Sequence, residues 1–179
     1  VNDAPVLAEV VDVTYNEDEA STLDLSASDV DEDDELTFSI SEGTNISATL
    51  VESQVTFTSI LNFNGSESFT IKVEDLGELE DSQIITVSVT PVNDIPVLDE
   101  ISDQNMNEGG TKVVLLSASD VDLDDLTFEI SDGTNIISDI VGATITFSVI
   151  NDDWNGSEEF TATASDGEYT VDQTFTVTV

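Results

Sequence analysis

The chain has no cysteine and no histidine, and only two basic side chains, Lys72 and Lys112, stand against 40 Asp and Glu. Without thiols or imidazoles there can be no disulfide staples, no soft metal sites and none of the usual nucleophile and base pairs. The missing cysteine leaves the redox compartment open. So little positive charge cannot meet a phosphate backbone or an anionic lipid surface, which argues against nucleic-acid and membrane-surface partners. No apolar run reaches the length of a membrane span, so direct membrane insertion is not expected. No secretion signal precedes Val1, and the chain reads as a piece excised from something longer.

What is present is apolar material and negative charge. Hydrophobic residues make up 39% of the 179, well above an acidic disordered tail, so the chain is expected to fold. Its formal charge of -38 must coexist with a compact state, and carboxylates so crowded repel one another unless salt screens them or cations neutralise them. Only hard oxygen ligands are available, which suit Ca²⁺ or Mg²⁺. An acidic surface adapted to a saline habitat, with no specific site, accounts for the charge as well.

Self-similarity settles the organisation. VNDAPVL at Val1 returns as VNDIPVL at Val92, Asn16-Glu17 as Asn107-Glu108, and LSASDVD ending at Asp31 as LSASDVD ending at Asp122. After a one-residue gap, LTFSIS matches LTFEIS, GTNI at Gly43 matches GTNI at Gly133, and FNGSESFT at Phe63 matches WNGSEEFT at Trp154. Two repeats follow, 1–91 and 92–179. Within each, apolar and polar residues alternate: Leu23, Leu25 and Ala27 share one face, as do Leu36, Phe38 and Ile40, and Phe69, Ile71 and Val73. The breaks carry turn residues, Ser41-Glu42-Gly43, Asn64-Gly65, Asn155-Gly156 and Asp166-Gly167, of which the Asn-Gly pairs read as hairpin turns. About seven short strands in ninety residues predict an all-β fold, two tandem Greek-key sandwiches of immunoglobulin type. Pro91 and Pro96 close the last strand of one copy and the short linker before the next, so the copies are expected end to end.

Acidic groups recur at matched places: Glu17 and Glu108, Asn2-Asp3 and Asn93-Asp94, Asp29-Val30-Asp31 and Asp120-Val121-Asp122, Asp75 and Asp166. Together they resemble the pattern of cadherin repeats, in particular the bacterial cadherin-like, dystroglycan-type tandem repeats, over essentially the whole chain. The resemblance implies Ca²⁺ chelated at domain junctions. Carried over, one junction would use Glu17 with Asn93, Asp94, Asp120, Asp122 and Asp166, while Asn2, Asp3, Asp29, Asp31 and Asp75 would form an N-terminal half site and Glu108 belong to a C-terminal one. Ca²⁺ takes ~6–8 oxygens at ~2.3–2.6 Å, which such a set can supply. Pro91, Ile95 and the LNFNG segment depart from the family pattern, so fewer ions than its full set are expected.

Other readings are weaker. Asp29 to Asp33 opens like an EF-hand loop, but Asp34 stands where glycine is needed and Ile40 where glutamate is. Carboxylate pairs suited to glycoside hydrolysis arise by chance among so many, and no nucleophile elbow or phosphate loop accompanies them, so no enzyme is expected. Trp154 has a sugar-platform reading, but its counterpart Phe63 before the same turn favours a structural ring, and Tyr15 and Tyr169 read as isolated. The resemblance therefore implies a Ca²⁺-rigidified adhesive or spacer segment of a large secreted or cell-surface bacterial protein, with neighbouring repeats and polysaccharide or cell-surface ligands as partners. A carbohydrate-binding module attached to a secreted polysaccharide-degrading enzyme is the alternative.

Overall fold

The computed structural model describes residues 2–31 and 35–179. The acidic stretch at 32–34, where the EF-hand-like pattern continues, lies outside the described residues. Among those residues there is no helix, and tertiary contacts divide the chain into Val1–Val92 and Asn93–Val179.

In the first repeat the strands are β1 (Val6–Leu7), β2 (Val13–Asn16), β3 (Ala20–Asp24), β4 (Ala27–Ser28), β5 (Thr37–Ile40), β6 (Ile46–Val51), β7 (Gln54–Ser59), β8 (Gly65–Glu74) and β9 (Glu80–Thr90). They form one sheet in the order β2-β9-β8-β5, a second in the order β3-β7-β6, and a short β1-β4 pair. The second repeat reproduces this with β10 (Val97–Leu98), β11 (Gln104–Asn105), β12 (Thr111–Leu115), β13 (Ala118–Ser119), β14 (Thr127–Ile130), β15 (Ile136–Val141), β16 (Thr144–Val149), β17 (Ser157–Ser165) and β18 (Thr170–Thr178).

The strand count exceeds seven because two of the expected strands are split. The first segment pairs with β4 and then crosses to the other sheet as β2. At that crossing the Gln83 side chain stands in for the missing ladder, accepting from Val10 N and donating to the carbonyls of Leu7 and Ala8. Gln173 does the same for Ile101 and Leu98. The run through Leu23, Leu25 and Ala27 breaks between β3 and β4, with Leu25 buried and its neighbours packed against the core.

Alternation delivers the cores. Phe69, Ile71 and Val73 of β8 and, beside them in the same sheet, Ile85 and Val87 of β9 face Val55 and Phe57 of β7, all essentially inaccessible. Phe57 and Phe69 meet edge to face at 5.3 Å. In the second repeat Phe147 meets Phe160 at 4.8 Å and Phe175 at 6.0 Å.

One turn expectation is corrected. Asn64-Gly65 and Asn155-Gly156 do not close hairpins, because β7 and β8, like β16 and β17, belong to different sheets. The glycines are required by rings laid over them: a Cβ on Gly156 would stand 2.7 Å from Trp154 Cζ2, and one on Gly65 3.0 Å from Phe63 Cζ. Asp166-Gly167 does turn a hairpin, between β17 and β18, with Gly167 at φ 100°.

Candidate metal centre

Each repeat gathers its recurring acidic residues into one hydrogen-bonded cradle before its first strand. In the first, Asn2 Nδ2 donates to Asp75 Oδ2 at 2.9 Å and Asp3 N donates to Asp31 Oδ2 at 2.8 Å. Asp31 N in turn donates to Asp29 Oδ1 at 2.8 Å, and Leu79 N donates to Asp75 Oδ1 at 2.9 Å. The second repeat repeats these bonds: Asn93 Nδ2 to Asp166 Oδ2 at 2.9 Å, Asp94 N to Asp122 Oδ2 at 2.8 Å, and Asp122 N to Asp120 Oδ1 at 2.8 Å. The expected residues Asn2, Asp3, Asp29, Asp31 and Asp75 are thus together, as are Asn93, Asp94, Asp120, Asp122 and Asp166.

The Asp-Val-Asp spacing explains the local shape. An Asp carboxylate that accepts the amide two residues on forms an Asx turn, and this bends the chain after β4 and β13 back towards the linker segment. One oxygen of the first Asp is thereby used. The other, Asp29 Oδ2 in one repeat and Asp120 Oδ2 in the next, is buried and has no hydrogen-bond partner. A buried carboxylate oxygen left in this way is costly unless a proton or a cation meets it.

Charge accumulates at the second cradle. Oxygens of Asp120, Asp122 and Asp124 lie within 4.8 Å of one another. Desolvation in the loop and the charges of Asp120, Asp122, Asp166 and Asp125 raise the Asp124 carboxyl above its ordinary value. Desolvation also works to raise Asp166, but the amides of Tyr169 and Glu168 and the Asn93 side chain outweigh it and hold that carboxyl down. Asp124 was not among the expected ligands; the signal for it was the continued alternation Asp120-x-Asp122-x-Asp124.

Glu17 and Glu108 differ. Glu17 is 3% exposed and its Oε1 accepts from Val92 N at 2.7 Å, whereas Glu108 is exposed. Sequence reasoning also passed over Glu67 and Glu158. Glu67 accepts the amides of Thr44 and Ile46 on one oxygen and the Asn45 amide and side chain on the other. Glu158 does the same with Thr134, Asn135 and Ile136. Desolvation alone would raise both carboxyls, but these bonds prevail and hold them below the ordinary glutamate value. The signal was the joint recurrence of GTNI and NGSE. These two clamps are structural, since both oxygens are spent on backbone.

The geometry has a family behind it. Residues 2–88 and 93–179 each match the bacterial Ig domain family, and the chain belongs to that family as two tandem copies. None of the curated proteins matches it. Among solved structures, repeats 1–2 of human protocadherin-24 superpose with a TM-score of 0.62 at 20% identity, over 99% of each chain. Extracellular cadherin domains 1–4 of protocadherin gamma B7 give 0.60 at 20% identity, covering 98% of this chain and 49% of that one. This chain therefore spans about half of that cadherin structure, and likeness at such identity establishes the fold: bacterial cadherin-like tandem sandwiches. Domains of this class are typically non-catalytic and suggest an extracellular adhesion or spacer module. Among the described residues no helix is long and apolar enough to cross a membrane.

Proposed function

We propose that the chain is a Ca²⁺-binding, Ca²⁺-stiffened spacer or adhesion segment of a secreted or surface-exposed bacterial protein. The observation that carries this reading is the pair of orphaned, buried oxygens, Asp29 Oδ2 and Asp120 Oδ2, at the same place in both copies. Asp29, Asp31 and Asp75 would hold the ion in the first cradle, with Asp3 beside them. Asp120, Asp122, Asp124 and Asp166 would hold it in the second, with Asp94. Glu17 is kept as a further donor, as the cadherin resemblance implies. When bound, the ion supplies charge neutralisation, so the linker segment, the Asp-x-Asp turn and the strand-end Asp are drawn together rather than pushed apart. Extracellular Ca²⁺ modules bind at ~10⁻⁴–10⁻³ M, which suits a partly exposed site.

Thermal melts with Ca²⁺ or chelator at matched ionic strength test the proposal. Ca²⁺ at about ten to a hundred times its dissociation constant should stabilise the fold by about 1.4–2.7 kcal/mol. Trp154, the one tryptophan, reports on the second repeat, where Asp120→Asn should remove the shift and Asp139→Asn should preserve it. Glu17→Gln should weaken Ca²⁺ uptake if that residue is a donor. An equal shift with NaCl or Mg²⁺ would instead favour a surface merely adapted to salt.

A further inference from the structure

One sheet edge in the first repeat is unlike the rest of this acidic chain. From Gly43 to Ser66 the one charged residue is Glu52, in a sequence where 40 of 179 residues are Asp or Glu. The stretch contains β6, an edge strand of the β3-β7-β6 sheet. Its residues, ISATLV, include no charge, proline or glycine. Exposed edges are normally blunted by a charge, a proline or a bulge, because their free backbone groups accept another strand.

The register fixes which of those groups are free. β6 and β7 pair without a bulge from Ile46 with Ser59 to Val51 with Gln54, joined by the two-residue turn Glu52-Ser53 with Glu52 at φ 56°. A two-residue hairpin closes on a pair that exchanges both hydrogen bonds, and such pairs alternate along the ladder. Val51, Thr49 and Ser47 therefore bond to β7, while Ala48 and Leu50 between them aim N–H and C=O away from it. Their side chains pack against the core, yet among the described residues no group bonds their backbone on that side. The Ile46 amide is already held by Glu67, so the open edge is Ser47–Val51. The second repeat keeps the strand but charges the edge. There Asp139 stands exposed on β15 at the place of Thr49.

We propose that β6 is a self-association edge, on which the β6 of a second copy of this chain adds as an antiparallel strand. With Thr49 on the two-fold axis, Ala48 lies opposite Leu50 of the second copy and Leu50 opposite its Ala48. The free N–H and C=O groups then meet in two doubly bonded pairs. Thr49 meets Thr49 on the outer face, a favourable cross-strand pair, whereas the same register in β15 would set Asp139 against Asp139. Charge selects the occupant: two copies, each of formal charge -38, approach most readily where neither presents a carboxylate. A single added strand covers far less than the ~800 Å² per partner of a stable interface, so the contact is weak, in the high micromolar to millimolar range. Because the remaining surface repels, association should strengthen with salt, as the Debye length falls from ~30 Å at ~0.01 M to ~3 Å at ~1 M.

Sedimentation velocity and amide NMR of the full chain in chelator, from micromolar to millimolar protein at low and high NaCl, test this. The mean sedimentation coefficient should rise with concentration, more steeply at high salt. Concentration-dependent shifts should fall on Ser47–Val51 and spare Ile137–Val141. Thr49→Asp, which installs the second repeat's residue, should weaken association by roughly tenfold or more. Thr49→Lys should do the same although it makes the chain less negative, because like charges again meet on the axis. Ala48→Pro removes an outward N–H at an edge position that tolerates proline, and is an independent variant whose fold circular dichroism checks. The proposal is overturned by a chain that stays monomeric throughout, by association that salt weakens, by equal shifts in both repeats, or by variants that leave association unchanged. Shifts at Ser47–Val51 on adding an unrelated uncharged strand peptide to a chain that stays monomeric would assign the edge to another partner and equally overturn it. The chelator separates this outcome from the cation reading, because β6 shares no residue with either cradle.

Discussion

The two repeats agree at some positions and part at others, and the division is physical. They agree where a carboxylate is bonded to backbone: the cradles around Asp29 and Asp120, and the clamps of Glu67 and Glu158. They part where side chains meet solvent or fill one end of the core. On the outer face of the three-stranded sheet, the first repeat carries Thr22, Ser47 and Asp24, the last bonded to Gln54 at 2.7 Å. At the matched positions the second exposes Val113, Ile137 and Leu115, at 60, 48 and 72%. A backbone-bonded carboxylate cannot be replaced without orphaning several amides at once, whereas an outward Thr can become Val at little cost. The shared positions therefore define the scaffold, and the differing ones are free to carry what is particular to each copy.

The largest expected break in this comparison comes from the glycines beneath the clamps. A Cβ on Gly133 would collide with the carbonyl oxygen of Ile136, with Glu158 Oε2 at 2.6 Å and with Phe160 Cζ at 2.8 Å; Gly43 faces the same trio in Ile46, Glu67 and Phe69. Gly133→Ala should destabilise the second repeat by about 3 kcal/mol or more, seen as an earlier unfolding midpoint in Trp154 emission. Gly43→Ala should give an equal loss by circular dichroism. A glycine tolerant of alanine in one repeat would show that the two loops are not equivalent after all.

Next come the clamps themselves. Glu67→Gln and Glu158→Gln weaken charge-assisted bonds to three consecutive amides, and each should cost about 1–2 kcal/mol after allowing for partial exposure. Because both folded carboxyls lie below their ordinary value of 4.5, their contribution is complete above that value and drains away as pH falls through the lower folded value. The wild-type chain should therefore lose stability on acidification below about pH 4.5, and each Gln variant should lose less of it. Equal acid sensitivity in wild type and variants would contradict the assignment.

The smallest effect sharpens the difference rather than the likeness. Tyr15→Phe removes a buried hydroxyl that meets only the neighbouring Ser59 hydroxyl, outside good hydrogen-bond geometry, and should change the stability of the first repeat by no more than about 1 kcal/mol. A larger loss would mean that the hydroxyl has a partner the fold depends on.

Much of this could be read from the residues alone. Alternation placed Phe69, Ile71 and Val73 on one inward face, and recurrence singled out Asp29, Asp31 and Asp75 with their counterparts. What escaped notice depended on contacts distant in sequence. Glu67 lies 22 residues from Asn45, and nothing local to NGSE says which amides it will meet. Tyr15 read as isolated because its neighbour Ser59 arrives from the opposite sheet. The Asn-Gly pairs read as hairpins because a two-residue turn and a glycine under an aromatic ring leave the same trace in a string of letters.

The parallel pairing near the ends of each repeat has a mechanical side. β2 and β9 run alongside one another through four matched pairs, Val13 to Asn16 against Val87 to Thr90. β11 and β18 have two, Gln104 and Asn105 against Val177 and Thr178. Tension applied along parallel strands strains every rung together instead of peeling them singly, so the clasp is as strong as its count of rungs. Pulled from its two ends, the second repeat, with half the rungs, should yield at a lower force than the first.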